Sequence, residues 1–229
     1  MSELRADLLR RMLTQGTILF VLLAVLLFGV AGTLRWWQAW LFLAIYLAWT
    51  IWLSAWLLRH DPALLERRMR AGPWAETRPA QRWIMSVTTV GFIALIVVPA
   101  LDRRFGWSAA PGWLGLLGDA LFCLGLMGIT AVFRVNAFTA ATVEVMPGQT
   151  VTSTGPYAIV RHPMYAAATA MLAGIPLALA SWWGLLLMIP LAPALVWRLL
   201  DEERMLARDL PGYTGYMQMV RYRLIPGIW

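Results

Sequence analysis

Long apolar runs broken by short polar stretches set the plan of this chain. Runs at residues 16–34, 37–58, 84–101 and 112–133 approach the length a bilayer core demands, about 20 apolar residues of helix. Two further runs, 164–180 and 184–200, are separated by "SWW" and carry Pro176, Pro190 and Pro193. At roughly 17 residues each they make about 25 Å of helix, a little short of the ~30 Å hydrocarbon core. Their prolines and the Trp-Trp turn predict a tight helical hairpin. The polar remainder is the N-terminal "MSELRADLLRRMLTQG", a loop at 59–83, a loop at 134–163 and a charged, aromatic tail at 201–229. The pattern predicts an all-α integral membrane protein with about five to six transmembrane helices and a C-terminal helical hairpin. It is read as a single polytopic membrane domain, 1–229, with no internal repeat.

Composition agrees with the pattern. The chain is 60% apolar and 14% charged, whereas a soluble domain is about half apolar and about a quarter charged. The charged N-terminal segment and the full-length run behind it do not fit a cleavable signal, so none is expected. A single cysteine, Cys123, and two distant histidines, His60 and His162, leave neither a disulfide framework nor a metal site to expect.

Charge adds an orientation. The net charge of +7 is carried by arginine alone, for the chain has no lysine. With the N-terminus inside and six crossings, sixteen arginines fall on the cytoplasmic side against three, Arg35, Arg103 and Arg104, outside. The positive-inside rule selects this arrangement, with N- and C-termini cytoplasmic. The same count explains the basic character through topology and anionic lipid, so the bilayer and not nucleic acid is the expected partner. No obligate protein partner is evident. An arginine-rich chain without lysine fits a GC-rich bacterial genome, and hence a bacterial inner (cytoplasmic) membrane.

Three clusters carry candidate chemistry, all on the predicted cytoplasmic face. The first is "QTVTSTGPYAIVRHPMY", 149–165. Gly155-Pro156 reads as a turn, and Pro163 suits the first turn of a helix. Arg161 and His162 then stand at a helix entrance whose free N–H groups suit an anion. The plainer reading keeps equal standing: Arg161 snorkels to headgroups, His162 caps the helix, and Tyr157 and Tyr165 form an interfacial belt. The second cluster is "WRLLDEER", 197–204. Arg198 and Glu202, four apart, share a helix face, and a charge inside an apolar run normally faces a cavity or a partner. The third is the tail "YTGYMQMVRYRLIPGIW", a membrane-lying lid or an anchor. Asp119, among Gly112, Gly115, Gly118 and Gly125, is read as an interhelical partner in a closely packed seam. Glu76, in the arginine-rich loop, serves as a control position.

"GPYAIVRHPMY", an apolar hairpin, then "EERML" and "YTGYMQMVRYRLIPGIW" together resemble the isoprenylcysteine carboxyl methyltransferase family and the related phospholipid N-methyltransferases. The resemblance covers about residues 125–229. It implies a polytopic membrane enzyme that transfers a methyl group from S-adenosylmethionine, leaving S-adenosylhomocysteine, with 125–229 as its catalytic region. By motif position it implies a cofactor site of Gln149, Thr150, Val151, Thr152, Tyr157, His162, Pro163, Met164, Tyr165 and Glu202. Gln149 stands where eukaryotic members often have histidine. Arg198 matches an arginine assigned to the acceptor, so Arg198 and His162 are the candidate catalytic pair.

The chemistry suits these residue types. Aromatic faces attract a sulfonium, a glutamate accepts from hydroxyls or an ammonium, and helix N–H groups hold a carboxylate. A carboxylate acceptor, ionised with a pKa of roughly 3.3–3.7, needs no general base, and Arg198 would orient it. A phospholipid amine or small thiol would need one, and His162 is the histidine placed for it. The expected acceptor is lipid-like or prenylated, with a phospholipid or small-molecule amine or thiol as the alternative, since bacteria commonly lack prenylated proteins. A transporter or assembly factor would instead spread ionisable groups through the spans toward both faces.

Overall fold

Apolar side chains all round a segment leave its backbone amides no partner in lipid except one another, so each long run closes into helix. The computed structural model describes residues 2–139 and 141–229, with side chains from residue 5 onward. It is 75% helix, with no strand among the described residues. Helix α1 (Ser2–Ala24) runs on through a π-helical turn at Val25–Gly29, and Gly32 at φ 68° turns the chain. Helices α2 (Trp37–His60) and α3 (Pro62–Met69) meet at Asp61, whose carboxylate caps α3 through the Leu64 amide at 2.8 Å. This is an N-cap with proline at the first helical position. Then come α4 (Pro79–Phe105) and α5 (Gly112–Val135). Helix α6 (Pro163–Ala178), the short α7 (Trp182–Leu186), α8 (Met188–Asp209) and α9 (Tyr213–Met219) complete the chain.

Among the described residues, five helical segments are long and apolar enough to cross a membrane: Arg5–Gly29, Trp37–His60, Pro79–Phe105, Gly112–Val135 and Trp182–Asp209. The predicted runs understate them. The charged N-terminal segment is continuous with the first span, and the last span extends past residue 200 into "DEERMLARD".

The hairpin settles against α5. A Cβ on Gly118 would lie 1.9 Å from the Ala178 amide nitrogen, and one on Gly125 would lie 2.5 Å from that of Met171. The two backbones therefore touch, as small residues permit between membrane helices. Although α6 has only 16 residues, it carries the chain to the far end of the bundle. There Asp102, at the end of α4, accepts hydrogen bonds from the Ser108 amide (2.7 Å), the Ser108 hydroxyl (2.6 Å) and the Ser181 hydroxyl (2.5 Å). Ser181 in turn caps α7 by accepting from Gly184 N at 3.0 Å. The turn of the hairpin is thus tied to the same end as the α4–α5 loop.

This tight seam corrects the reading of Asp119. It is buried, yet neither carboxylate oxygen has a hydrogen-bond partner among the described residues. Beside it, α5 and α6 meet backbone to backbone at Gly118.

A core of Leu23, Leu27, Phe42, Leu95, Ile96, Phe122 and Ile175 fills the bundle. At the near end a second cluster of Leu8, Leu57, Leu64, Leu65 and Phe133 seats α3 across the mouths of α1, α2 and α5. A third, Leu210, Tyr213, Tyr216 and Val220, folds the tail back. The beginning of α1 and the C-terminal tail consequently lie at the same end as the 136–162 loop.

Candidate functional site

Helix α5 ends at Asn136, whose side-chain N–H donates to the Tyr157 hydroxyl at 3.0 Å. The following loop turns at Gly155 (φ 58°) into a short 3-10 segment, Gly155–Ala158, and enters α6 through the RHP sequence. Tyr216 of α9 donates to the Tyr157 carbonyl at 2.7 Å, so the tail is fastened to the loop. Burial pushes the Tyr157 hydroxyl up to about 12. It also pushes Tyr213 above the usual phenol range, with the Glu203 and Glu202 carboxylates adding to the effect, and raises Tyr216 likewise. All three are neutral hydrogen-bonding phenols at physiological pH.

These elements enclose a cavity of about 400 Å³, within the range of small-molecule sites. Its outer wall is polar and aromatic: Gln149, Thr150, Thr152, Tyr157, His162 and Glu202. Its inner wall, at membrane depth, is apolar: Met85, Ile129, Ala168, Met171 and Leu195. The cavity therefore joins a loop-built polar chamber to an apolar recess between α4, α5, α6 and α8.

Of the residues singled out by motif, Gln149, Thr150, Val151, Thr152, Tyr157, His162, Met164, Tyr165, Arg198 and Glu202 all line this one cavity. Pro163 is outside that lining, buried in the first turn of α6. The side-chain carbonyl of Gln149 is already engaged, accepting from Met146 N at 2.9 Å.

The interfacial reading of this motif is overturned by burial. Arg161 is 6% exposed and His162 4% exposed. Arg161 Nε donates to Glu203 at 2.9 Å instead of reaching for headgroups. His162 occupies the cap position of α6 without a side-chain cap bond, and its Nε2 lies 3.2 Å from Glu203. The expected free amides are also taken: Arg161 N donates to the Tyr222 carbonyl (2.8 Å) and His162 N to that of Arg223 (3.0 Å).

Arg198 and Glu202 share a face of α8 but have different partners. Glu202 accepts from the Tyr165 hydroxyl at 2.5 Å. Arg198 forms an ion pair with Glu76 at 2.8 Å and donates to Gln81 (2.8 Å) and to the Ala141 carbonyl (2.7 Å). Glu76 is 1% exposed and also accepts from the Val143 amide. It is a structural partner of the site and unfit as a control. Beside it, Arg78 and Gln81 both hold Asp201. Arg68 of α3 also lines the cavity and lies over the Phe133 ring at 5.1 Å, with burial pulling its pKa down to about 10. The 59–83 loop and α3, read from sequence as topology-setting charge, thus supply a wall of the site. No group of three or more acidic, cysteine or histidine side chains that could hold a metal occurs among the described residues.

With this geometry in hand, the matched segment acquires a place. Residues 113–210 match the family model of the phospholipid methyltransferases, the family of the isoprenylcysteine carboxyl methyltransferase-like proteins. The match covers less than half of the chain. It covers α5 to the end of α8, and so the RHPxY loop, Arg198, Glu202 and Glu203. It begins ahead of the resemblance read from motifs and stops short of the tail. The phospholipid methyltransferase match leaves out Arg68, Glu76 and Gln81 on one side and Tyr213, Tyr216 and Arg223 on the other. Among curated proteins, none matches the chain. The chain is accordingly a membrane protein with a segment similar to the phospholipid methyltransferases, and that segment supplies most of the cavity wall.

Proposed function

We propose that this protein is an S-adenosylmethionine-dependent methyltransferase acting on a lipid-like acceptor, with its cavity at the cytoplasmic face of a bacterial inner membrane. The observation that carries the reading is the cavity itself: one space with a polar aromatic chamber at the membrane mouth and an apolar recess at membrane depth. A charged cofactor suits the first part and an acyl or prenyl chain the second. The facing follows from sixteen arginines predicted on this side against three on the other.

The donor set fits the cofactor. Tyr157, Tyr165, Tyr213 and Tyr216 offer aromatic faces to a sulfonium. Glu202, held by Tyr165, offers an acceptor for ribose hydroxyls or an ammonium. Thr150, Thr152 and Gln149 add neutral polar groups. When bound, the cofactor supplies an electrophilic methyl group for in-line displacement. The residues of the chain contribute positioning and exclusion of water, which dominate in such a transfer. Arg198 is fixed by Glu76 and Gln81 at the point where chamber and recess meet, and would orient the acceptor's polar group.

One observation favours the second acceptor class over a carboxylate. The charge of Arg198 is already balanced by the buried Glu76, and three of its donor contacts are spent within the protein. A phospholipid amine makes less demand on this arginine than a carboxylate seeking a bidentate partner. Labelled methyl transfer into total lipid against transfer into a synthetic prenylcysteine separates the two.

The cofactor reading is tested by calorimetric binding of S-adenosylhomocysteine to the purified protein in lipid nanodiscs. Saturable binding that is lost in Glu202→Ala and kept in Glu66→Ala is the expected result. Glu66 is a suitable control because it is paired at the surface with Arg70. Absence of binding by the wild type in every detergent and lipid tried would refute the reading.

A further inference from the structure

The tail beyond the family match lines the cavity with Tyr213 and Tyr216 and packs against its RHP loop. Residues 220–223 lie along the RHP sequence. Arg161 Nη1 donates to the carbonyls of Val220 (3.0 Å) and Arg221 (2.8 Å), while the Arg161 and His162 amides donate to those of Tyr222 and Arg223. The Arg223 side chain then returns to the core of the site: Nε is 2.9 Å and Nη2 2.8 Å from Glu203 Oε1. Its guanidinium also sits over the Trp229 ring at 5.4 Å, which limits its freedom.

Glu203 is consequently held from two sides. One oxygen accepts both Arg223 donors, and the other accepts Arg161 Nε and faces His162 Nε2. A carboxylate between two guanidinium groups is ionised and can only accept. In its neutral form the His162 ring must therefore put its proton on Nε2, toward Glu203. Its second nitrogen, Nδ1, has no partner among the described residues, and the residue lines the cavity. The carboxylate next to a histidine thus sets which nitrogen is protonated and which is offered to a ligand.

We propose that Arg223 is a positioning residue of the site, clamping Glu203 so that His162 presents an unprotonated Nδ1 acceptor to the cavity. Removal of Arg223 leaves Glu203 with one guanidinium on one side, free to rotate away from His162. The ring then loses its fixed tautomer, while the tail keeps its backbone bonds to the RHP loop and Tyr216 its bond to Tyr157. The ligand served by that Nδ1, an N–H donor such as the cofactor's ammonium, rests on the function proposed above; the clamp itself does not.

The experiment uses the full chain in nanodiscs with 15N-labelled histidine. The chain has only His60 and His162, and a His60→Asn variant assigns the signals. Spectra are taken at about pH 8.5, above the ordinary histidine value of roughly 6.5. The wild type is expected to show His162 with its proton on Nε2. Arg223→Ala is expected to show both tautomers, and Arg223→Lys, which restores the charge, to recover the Nε2–H form in large part. In parallel, S-adenosylhomocysteine affinity should fall about 10-fold in Arg223→Ala, the size seen when the partner that orients a ligating histidine is removed. It should be unchanged in Arg221→Ala, whose side chain is exposed. A wild-type proton on Nδ1, or an Arg223→Ala protein that keeps both tautomer and affinity, overturns the proposal. If Arg223→Ala does not fold, the wild-type spectrum and Arg223→Lys decide. An Nε2–H tautomer in a protein that binds no S-adenosylhomocysteine would strike the cofactor reading and leave the clamp standing.

Discussion

Two buried carboxylates, Asp102 at one end of the bundle and Glu203 at the other, are alike in burial and unlike in everything around them. Asp102 is satisfied by an amide and two serine hydroxyls, all neutral, and is not among the residues that line the cavity. It ties the end of α4 to the α6–α7 turn. Glu203 is satisfied by two arginines and a histidine that itself lines the cavity. Neutral donors can close a turn at modest cost. Gathering cations in a buried place carries a large desolvation penalty that a fold tolerates chiefly where a charge must be held ready. The contrast separates a structural knot from a functional one more reliably than burial does.

The comparison can be broken by variants at either end. The largest expected effect is that of Glu203→Ala, which leaves Arg161 and Arg223 uncompensated beside His162. A loss of about 3–5 kcal/mol of stability is expected from removing one partner of a buried ion cluster, together with loss of S-adenosylhomocysteine binding. Denaturant unfolding and calorimetry read the two separately. Next is Asp102→Ala, which strands the Ser108 and Ser181 hydroxyls and should cost about 1–3 kcal/mol. Its affinity for S-adenosylhomocysteine should stay within about twofold of wild type, since no cavity-lining group is touched. An Asp102 variant with impaired binding would erase the distinction between the two ends.

Smaller effects sharpen it. Glu76→Gln frees Arg198 from its buried counter-charge while keeping a hydrogen-bonding side chain. It is expected to change turnover with lipid acceptors by about 10-fold and to leave cofactor affinity near wild type, the signature of a group serving the acceptor. Tyr216→Phe removes one hydrogen bond to the Tyr157 carbonyl and should cost about 1 kcal/mol in thermal or denaturant unfolding.

The parts of this structure that were legible in the sequence are those with local causes. Hydrophobic run length predicts the spans. The glycines of α5 predict close helix packing, and Gly118 and Gly125 meet α6 backbone to backbone. The RHPxY loop and the Arg198–Glu202 turn were visible because each lies within one short segment, and they converge on one cavity. What was hidden depends on pairing across the chain. Nothing local marks Glu76, among arginines in a polar loop, as the partner of Arg198, and Gln81 reaches that arginine across 117 residues of sequence. Arg161 looked like a snorkelling cation because the tail that buries it lies about sixty positions away. Asp119 erred in the opposite sense: an acid in a span implied a partner, and beside the tight glycine seam it has none among the described residues.

The central claim is that chamber and recess serve a single transfer from a charged cofactor to a lipid. Its most direct test is incubation of the purified protein with methyl-labelled S-adenosylmethionine in nanodiscs of bacterial lipid, followed by organic extraction. Label in the lipid fraction with the wild type, and none above background with Glu202→Ala, is the predicted result. Wild-type protein that binds the cofactor but labels neither bacterial lipid nor prenylcysteine would contradict it.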